Sequence, residues 1–258
     1  MKLQLLPSSF DSVGCASPEQ RLTCFLIDDK VAIDAGSIAI GANAHQRSQV
    51  RDIIVTHPHM DHIASLPIFV DDLFATLKEP IRVYATDGVI EALERDVFNW
   101  TVYPRFSELK NDFGSVMEYI PLKANSWQKI GHLNVRVVPV NHIVPTVGLI
   151  VQDGLKTIAF SSDTFETEEF WRVVNEINSI DVLVIEASFP NEMSHLAEVS
   201  RHLTPLSVKR ELDKLTHDHI DILAVHLKPA FRETVIKELA ALELPSLRVM
   251  EIGRVYEW

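Results

Sequence analysis

Short apolar runs and helix-period stretches alternate along most of the chain. Residues 22–27 and 31–35 read as paired strands around a polar Asp28-Asp29-Lys30 turn. Residues 52–56 form an uninterrupted, β-branched run, the pattern of a buried strand. Ile63-Ala64-Ser65-Leu66-Pro67-Ile68-Phe69 then opens an apolar stretch that can enter a helix. Ile81–Ala85 is another strand. After it Thr86 stands as a helix cap, Asp87 falls in the first turn, and Val89, Ile90, Leu93 and Val97 share a face.

Further on, residues 133–140 alternate like a strand. Residues 146–152 and 156–160 predict a hairpin about Asp153-Gly154, a strong turn dipeptide. Thr167 is a candidate cap for a helix that turns Phe170, Trp171, Val174 and Ile177 inward. Residues 181–185 predict a buried strand ending at Glu186. Thr204-Pro205 gives a cap followed by proline in the first turn of a helix running to about Leu215. Residues 220–225 form a strand ending at His226, residues 233–242 a helix, and residues 247–252 a last strand. No internal repeat, low-complexity segment or linker interrupts this order, which predicts one α/β layered domain over residues 1–258. One interval stands apart. Between Phe98 and Trp127 lie seven of the chain's twenty aromatics, enough to wall a pocket, stack a flat ligand, meet a second subunit or pack locally as core.

Composition narrows the classes. The 47% hydrophobic content supports a sizeable core. Net charge is −12, from 36 acidic and 24 basic residues, which argues against a broad face for long nucleic acids. A small anionic substrate stays open, because metal ions can supply local positive charge. Cys15 and Cys24 form no CxxC pattern, so a sulfur-ligated zinc is not expected and free thiols are the simpler reading. No run approaches a membrane span, and Pro7 breaks the only apolar patch near Met1, so the expected location is the cytoplasm without membrane attachment.

The chemistry concentrates at Thr56-His57-Pro58-His59-Met60-Asp61-His62, directly after the predicted strand. A lone histidine there would be read as a solvated loop residue. Four imidazole or carboxylate groups within positions 57–62 point instead to a transition metal, most often zinc. His57, His142, Asp163 and His226 each follow a predicted strand closely, and Glu186 ends one; in layered α/β domains sites gather at such carboxyl ends. The expected arrangement is dinuclear, with His57, His59 and His142 on one ion, Asp61, His62 and His226 on the other, and Asp163 bridging. Two ions about 3.5–4 Å apart can activate water and clamp a phosphate. Asp61 is also a carboxylate able to orient or deprotonate that water. Asp34 either supports the ligand histidines from behind or simply ends a strand. His202, sixteen residues after Glu186, is a candidate proton donor if the carboxylate fixes its tautomer, or else a packing residue near a helix start. His45, His132, His217 and His219 are read as solvated surface, and His195 is left open.

The motif at 56–62, with Asp34, His142, Asp163 and His226, resembles the metallo-β-lactamase superfamily over nearly the whole chain. That resemblance implies a four-layer αββα sandwich. Glu186-Ala187-Ser188-Phe189-Pro190-Asn191, His202-Leu203-Thr204-Pro205 and His226-Leu227-Lys228-Pro229 are similar to the class II cyclic-nucleotide phosphodiesterases. So are His59-Met60-Asp61-His62-Ile63-Ala64 and His142-Ile143-Val144-Pro145-Thr146-Val147-Gly148. The resemblance implies two divalent ions, zinc first and manganese or iron as alternatives, and a cyclic-nucleotide substrate (cyclic AMP or cyclic GMP) cut at its 3′ ester. It also implies catalytic roles for Asp61, Glu186 and His202, and a homodimer with the aromatic interval partly at the contact. The related RNase Z branch carries an equivalent Glu/His pair, so a nuclease of that type is the enzymatic alternative; a metal-binding regulatory protein is the non-enzymatic one. Two positions depart from the pattern. Glycine is expected before Asp163 and before His202, where Ser162 and Arg201 stand, both near where substrate would sit.

Overall fold

A computed structural model describes residues 1–258. The chain's contacts gather into two compact units, Met1–Lys123 with Ile252–Glu257, and Ala124–Glu251 with Trp258.

In the first unit the strands Val255–Glu257, Lys2–Leu5, Phe25–Ile27, Val31–Ile33, Asp52–Ile54, Ile81–Ala85 and Met117–Pro121 lie side by side in that order. The first four are mutually antiparallel; from Val31–Ile33 onward the neighbours are parallel. Phe25–Ile27 and Val31–Ile33 form the expected hairpin, with Asp28 and Asp29 in the left-handed conformation that a tight polar turn requires. Leu26, Ala32, Ile53 and Val83 from the sheet share a core with Ile38, Leu66, Phe69, Val89 and Leu93 from the connecting helices. The aromatic interval divides. Phe98 and Phe106 are fully buried in this core, with ring centroids 5.9 Å apart, while Trp100, Phe113 and Trp127 are exposed.

The second unit orders its strands Leu247–Val249, Asp221–Val225, Val182–Glu186, Thr157–Phe160, Val147–Gln152, Leu133–Pro139 and Trp127–Ile130. The first four are parallel and the rest antiparallel. Val182–Glu186 is buried at all five positions, as its unbroken apolar run predicts. Phe170, Trp171 and Val174 of the Glu169–Asn175 helix, Val208 of Pro205–Leu212 and Val235 of Arg232–Ala240 pack with Val138, Ile150, Leu183 and Ile185.

Local corrections follow from hydrogen bonding. Thr204 caps its helix as expected, in a reciprocal capping box with Ser207. Thr86 occupies the cap position, but its side chain makes no capping bond. Thr167 is not a cap: Glu168 precedes the helix, and the Thr167 N–H is taken by the buried Glu211 carboxylate, which also accepts the Trp171 indole N–H. His217 is half-buried rather than solvated, with Nε2 3.0 Å from the Val174 carbonyl oxygen, while His45, His132 and His219 are exposed. Cys15 and Cys24 are free thiols. Burial, helped by the nearby Asp34 carboxylate, pushes the Cys24 thiol well above its ordinary range, which leaves it inert. No helix is long and apolar enough to cross a membrane.

Candidate metal centre and acid–base pair

Val31–Ile33 and Asp52–Ile54 are parallel neighbours, so both deliver the chain to the same edge of the first sheet. Asp34 follows one and the 57–62 motif follows the other. Two main-chain bonds tie the two segments, Asp34 N–H to Ile54 oxygen at 2.7 Å and Ala35 N–H to His62 oxygen at 2.7 Å, and a third, Thr23 N–H to Asp61 oxygen at 2.7 Å, ties the motif to the chain just before Phe25–Ile27. Met60–Ile63 is then a single helical turn, which clusters the motif's side chains. The His57 ring lies 4.8 Å from that of His59 and 4.0 Å from that of His62, centroid to centroid. Asp61 Oδ2 is 3.9 Å from His62 Nε2.

Asp34 does more than end a strand. Its buried carboxylate accepts the Thr56 N–H at 2.8 Å, the Thr56 hydroxyl at 3.0 Å and His62 Nδ1 at 2.7 Å. A carboxylate can only accept, so the Thr56 proton points to Asp34. The Thr56 oxygen is then free to accept from His57 Nδ1, 3.0 Å away. Both histidines therefore carry their proton on Nδ1 and present the Nε2 lone pair, the form a metal ligand needs.

In the second unit Leu133–Pro139, Thr157–Phe160, Val182–Glu186 and Asp221–Val225 all run in the same direction. Their carboxyl ends fall on one edge, and His142, Asp163, Glu186 and His226 stand at or just beyond them. His202 arrives from elsewhere, through Arg201, which ends the Ser194–Ser200 helix. Ligand atoms of His142, Asp163 and His202 lie within 4.8 Å of one another, and so do those of Glu186, His202 and His226. His226 Nε2 is 3.4 Å from Asp163 Oδ2. His142 Nδ1 is 2.9 Å from the Arg201 carbonyl oxygen, to which it donates, so His142 also presents Nε2.

Glu186 is buried and accepts four hydrogen bonds. One oxygen takes the Thr164 N–H at 2.7 Å and His202 Nδ1 at 2.9 Å; the other takes the Ser188 hydroxyl at 2.6 Å and the Leu203 N–H at 3.2 Å. Burial works to lower the pKa of His202, but the Glu186 carboxylate, with Asp163 beyond it, more than offsets this, and the net direction is up. For His142 burial prevails over the bond to the Arg201 carbonyl, and the net direction is down. Each unit thus offers imidazoles and carboxylates oriented for coordination, and such a donor set fits a divalent metal ion.

Thr56 and Ser188 carry no role legible in the sequence, because a buried hydroxyl has no signature until its partners are known. Ser162 and Arg201, the two departures from the expected glycines, both sit in the left-handed region, at φ 55° and 58°. The Arg201 side chain is exposed, with its guanidinium carbon 5.9 Å from the centre of the Phe165 ring. His195 is exposed beside a cavity of about 210 Å³ that Phe165, Thr204 and Arg210 also line.

The chain is similar to known proteins in sequence and in fold. The sequence profile of the beta-lactamase superfamily domain matches residues 30–210. A probable 3′,5′-cyclic-nucleotide phosphodiesterase of Yersinia pestis is 24% identical over 210 residues, 72% of this chain and 60% of that protein, so the match leaves two-fifths of that relative's length uncovered. A 3′,5′-cyclic-nucleotide phosphodiesterase of Aliivibrio fischeri is 26% identical over 255 residues, 80% of this chain and 76% of that protein. The crystal structure of the metallo-β-lactamase fold protein YhfI from Bacillus subtilis superposes with a TM-score of 0.75 at 17% identity, covering 99% of both chains, which shows the fold. With the profile spanning more than half of its length, the chain belongs to the metallo-β-lactamase superfamily and has that superfamily's α/β sandwich fold.

Proposed function

We propose that this protein is a metal-dependent phosphodiesterase that opens the 3′ ester of a 3′,5′-cyclic nucleotide to give the 5′-monophosphate. The observation that carries the reading is the His202–Glu186 pair, an imidazole held at Nδ1 by a buried carboxylate at 2.9 Å and lying next to Asp163. Hydrolysis by metal ions alone needs no such pair. An alkoxide leaving group does, because the 3′ oxygen of a ribose is a poor leaving group until it is protonated. The names of the two curated relatives support the same substrate class.

The proposed ligand set is His57, His59 and His142 for one ion and Asp61, His62 and His226 for the other, with Asp163 shared, and zinc is the first choice of metal. Two divalent ions bound there would supply water acidic enough to attack phosphorus at neutral pH and would neutralise charge on the phosphate oxygens. With the ions bound, Asp61 would be the carboxylate that takes the attacking water's proton. His202 gives the proton on Nε2 to the departing 3′ oxygen as the P–O bond breaks, while Nδ1–H stays on Glu186 and the carboxylate stabilises the imidazolium beforehand. The net charge of −12 suits a small substrate better than tRNA.

A hydrolysis panel tests this. Cyclic AMP, cyclic GMP, 2′,3′-cyclic nucleotides and a tRNA precursor are offered to one preparation whose metal content is measured. Turnover of a 3′,5′-cyclic nucleotide to the 5′-monophosphate is expected. Cleavage of the tRNA precursor alone would assign the nuclease reading, and stoichiometric metal without turnover of any substrate would assign a binding protein. His202→Ala is expected to retain metal and to slow cyclic AMP hydrolysis by roughly 10²–10⁴-fold, with much less effect on a nitrophenyl phosphodiester, whose leaving group needs no proton.

A further inference from the structure

Ser188 is fully buried, and its hydroxyl touches three groups of the proposed site at once. Its oxygen is 2.6 Å from Glu186 Oε2, 2.9 Å from His226 Nδ1 and 3.3 Å from His202 Nδ1, with the His226 carbonyl oxygen at 3.2 Å. A serine hydroxyl has one proton and two lone pairs. The shortest contact, to a charged acceptor, takes the proton. The lone pairs are then left for donors, and His226 Nδ1 is the nearer ring nitrogen, since His202 Nδ1 sits closer to Glu186 Oε1 than to Ser188. This order of protons forces His226 into the Nδ1–H tautomer, with the Nε2 lone pair on the side of Asp163, 3.4 Å away.

The first unit repeats the device with different residues. There Asp34 holds His62 directly and His57 through the Thr56 hydroxyl. Here Glu186 holds His202 directly and His226 through the Ser188 hydroxyl. In each case one buried carboxylate fixes two imidazoles, and a single hydroxyl proton decides the tautomer of the second.

We propose that Ser188 is a positioning residue that joins His226 to the Glu186–His202 pair, so that one carboxylate sets both a metal ligand and the proton donor. The part that concerns His202 rests on the phosphodiesterase reading; the part that concerns His226 rests only on its being a metal ligand. Ser188→Ala keeps the bulk of the side chain but removes the acceptor for His226 and one of the four donors to Glu186. Ser188→Thr restores the hydroxyl.

The test has two arms. In the first, zinc is titrated into metal-stripped protein against a chromophoric chelator. Ser188→Ala is expected to weaken one zinc equivalent by about 10–100-fold, as loss of a hydrogen-bond partner behind a ligand histidine does, and to leave the other unchanged. Ser188→Thr should lie within a few-fold of the wild type, and thermal melts of both variants report on folding. Two unchanged zinc affinities in a folded Ser188→Ala protein would overturn the inference, as would equal weakening in Ser188→Ala and Ser188→Thr. In the second arm, at saturating zinc, the ratio of kcat on cyclic AMP to kcat on a nitrophenyl phosphodiester is compared for wild type, Ser188→Ala and His202→Ala. A ratio that falls in both variants supports the joint role. A ratio that falls in His202→Ala only overturns the link to the donor pair. A ratio unchanged in His202→Ala refutes the phosphodiesterase mechanism instead, and the zinc arm still decides the role of Ser188.

Discussion

Gly36 gives the sharpest test of how the motif is held. A Cβ built there would lie 2.0 Å from the Asp61 carbonyl oxygen and 2.8 Å from the main-chain nitrogen and oxygen of Thr23, where ordinary contact begins near 3.4 Å. Gly36 is not at positive φ, so space and not backbone freedom demands a glycine. All three atoms belong to main chain and cannot swing away. Two of them make the Thr23 N–H to Asp61 bond at 2.7 Å, and the third accepts the Gly36 N–H at 2.9 Å. Gly36→Ala must therefore push the 60–62 turn off the Asp34-Ala35-Gly36 segment. Overpacking costs about 1–3 kcal/mol. Losing one main-chain hydrogen bond adds about 0.5–1.5 kcal/mol. The expected destabilisation is roughly 2–4 kcal/mol, a fall in Tm of about 5–15 °C for a chain of this size. Melting must be followed on metal-stripped protein, because bound metal would mask the loss by mass action. A parallel zinc titration should show weakened binding, since the displaced backbone carries Asp61 and His62. A variant that melts within a degree or two of the wild type and binds zinc equally well would refute the idea that this turn sets the motif's position.

Two further outcomes are expected. Arg201→Gly relieves a left-handed residue, which costs about 1–2 kcal/mol in strain, while adding flexibility to the unfolded chain, so a net gain of about 0.5–1 kcal/mol should appear in a urea melt. A loss instead would mean that the guanidinium's contact with Phe165 outweighs the strain. Glu186→Gln removes the larger of the two charges that raise the His202 pKa, leaving only Asp163 to oppose the lowering by burial. The donor form of His202 is then lost at a lower pH, so the alkaline limb of kcat for cyclic AMP should move down, and a limb that stays in place would count against His202 as the acid.

Much of the fold could be read from local pattern. Buried parallel strands such as Asp52–Ile54 and Val182–Glu186 are short unbroken apolar runs, and the capping box at Thr204 is written in adjacent residues. Long-range pairing was not legible. Lys2–Leu5 pairs with Val255–Glu257 at the other end of the chain, and each is too short and mixed to stand out alone. Thr167 reads as a cap in the sequence because a candidate cap looks the same whether or not a distant carboxylate, here Glu211, claims its N–H. The candidate site shows the same division. The residue types and their places after strands came from the sequence, whereas Thr56, Ser188 and the Arg201 carbonyl, which orient His57, His226 and His142, needed coordinates.

Those orienting groups also change the meaning of the two departures from the superfamily pattern. Asp34, Ser162, Arg201 and His226 all hold left-handed φ between 55° and 61°, and each adjoins or belongs to the candidate site. None is glycine, so each costs strain that surrounding bonds must hold in place. At Asp34 and His226 the turn redirects the chain at a strand's end and aims a side chain of the candidate site. Arg201 matters through its main chain, because its carbonyl oxygen fixes His142 and its own turn delivers His202 to Glu186. A glycine would do both at lower cost. The expectation of glycine at 162 and 201 is therefore an expectation about backbone shape, and Ser162 and Arg201 meet it. What remains specific to this chain is the Arg201 guanidinium over Phe165, on a loop two residues past Asp163. A difference in substrate choice from proteins with glycine at this position should be sought in that pair, because the placement of the candidate ligands and the Glu186–His202 bond depend on no side-chain atom of residue 201.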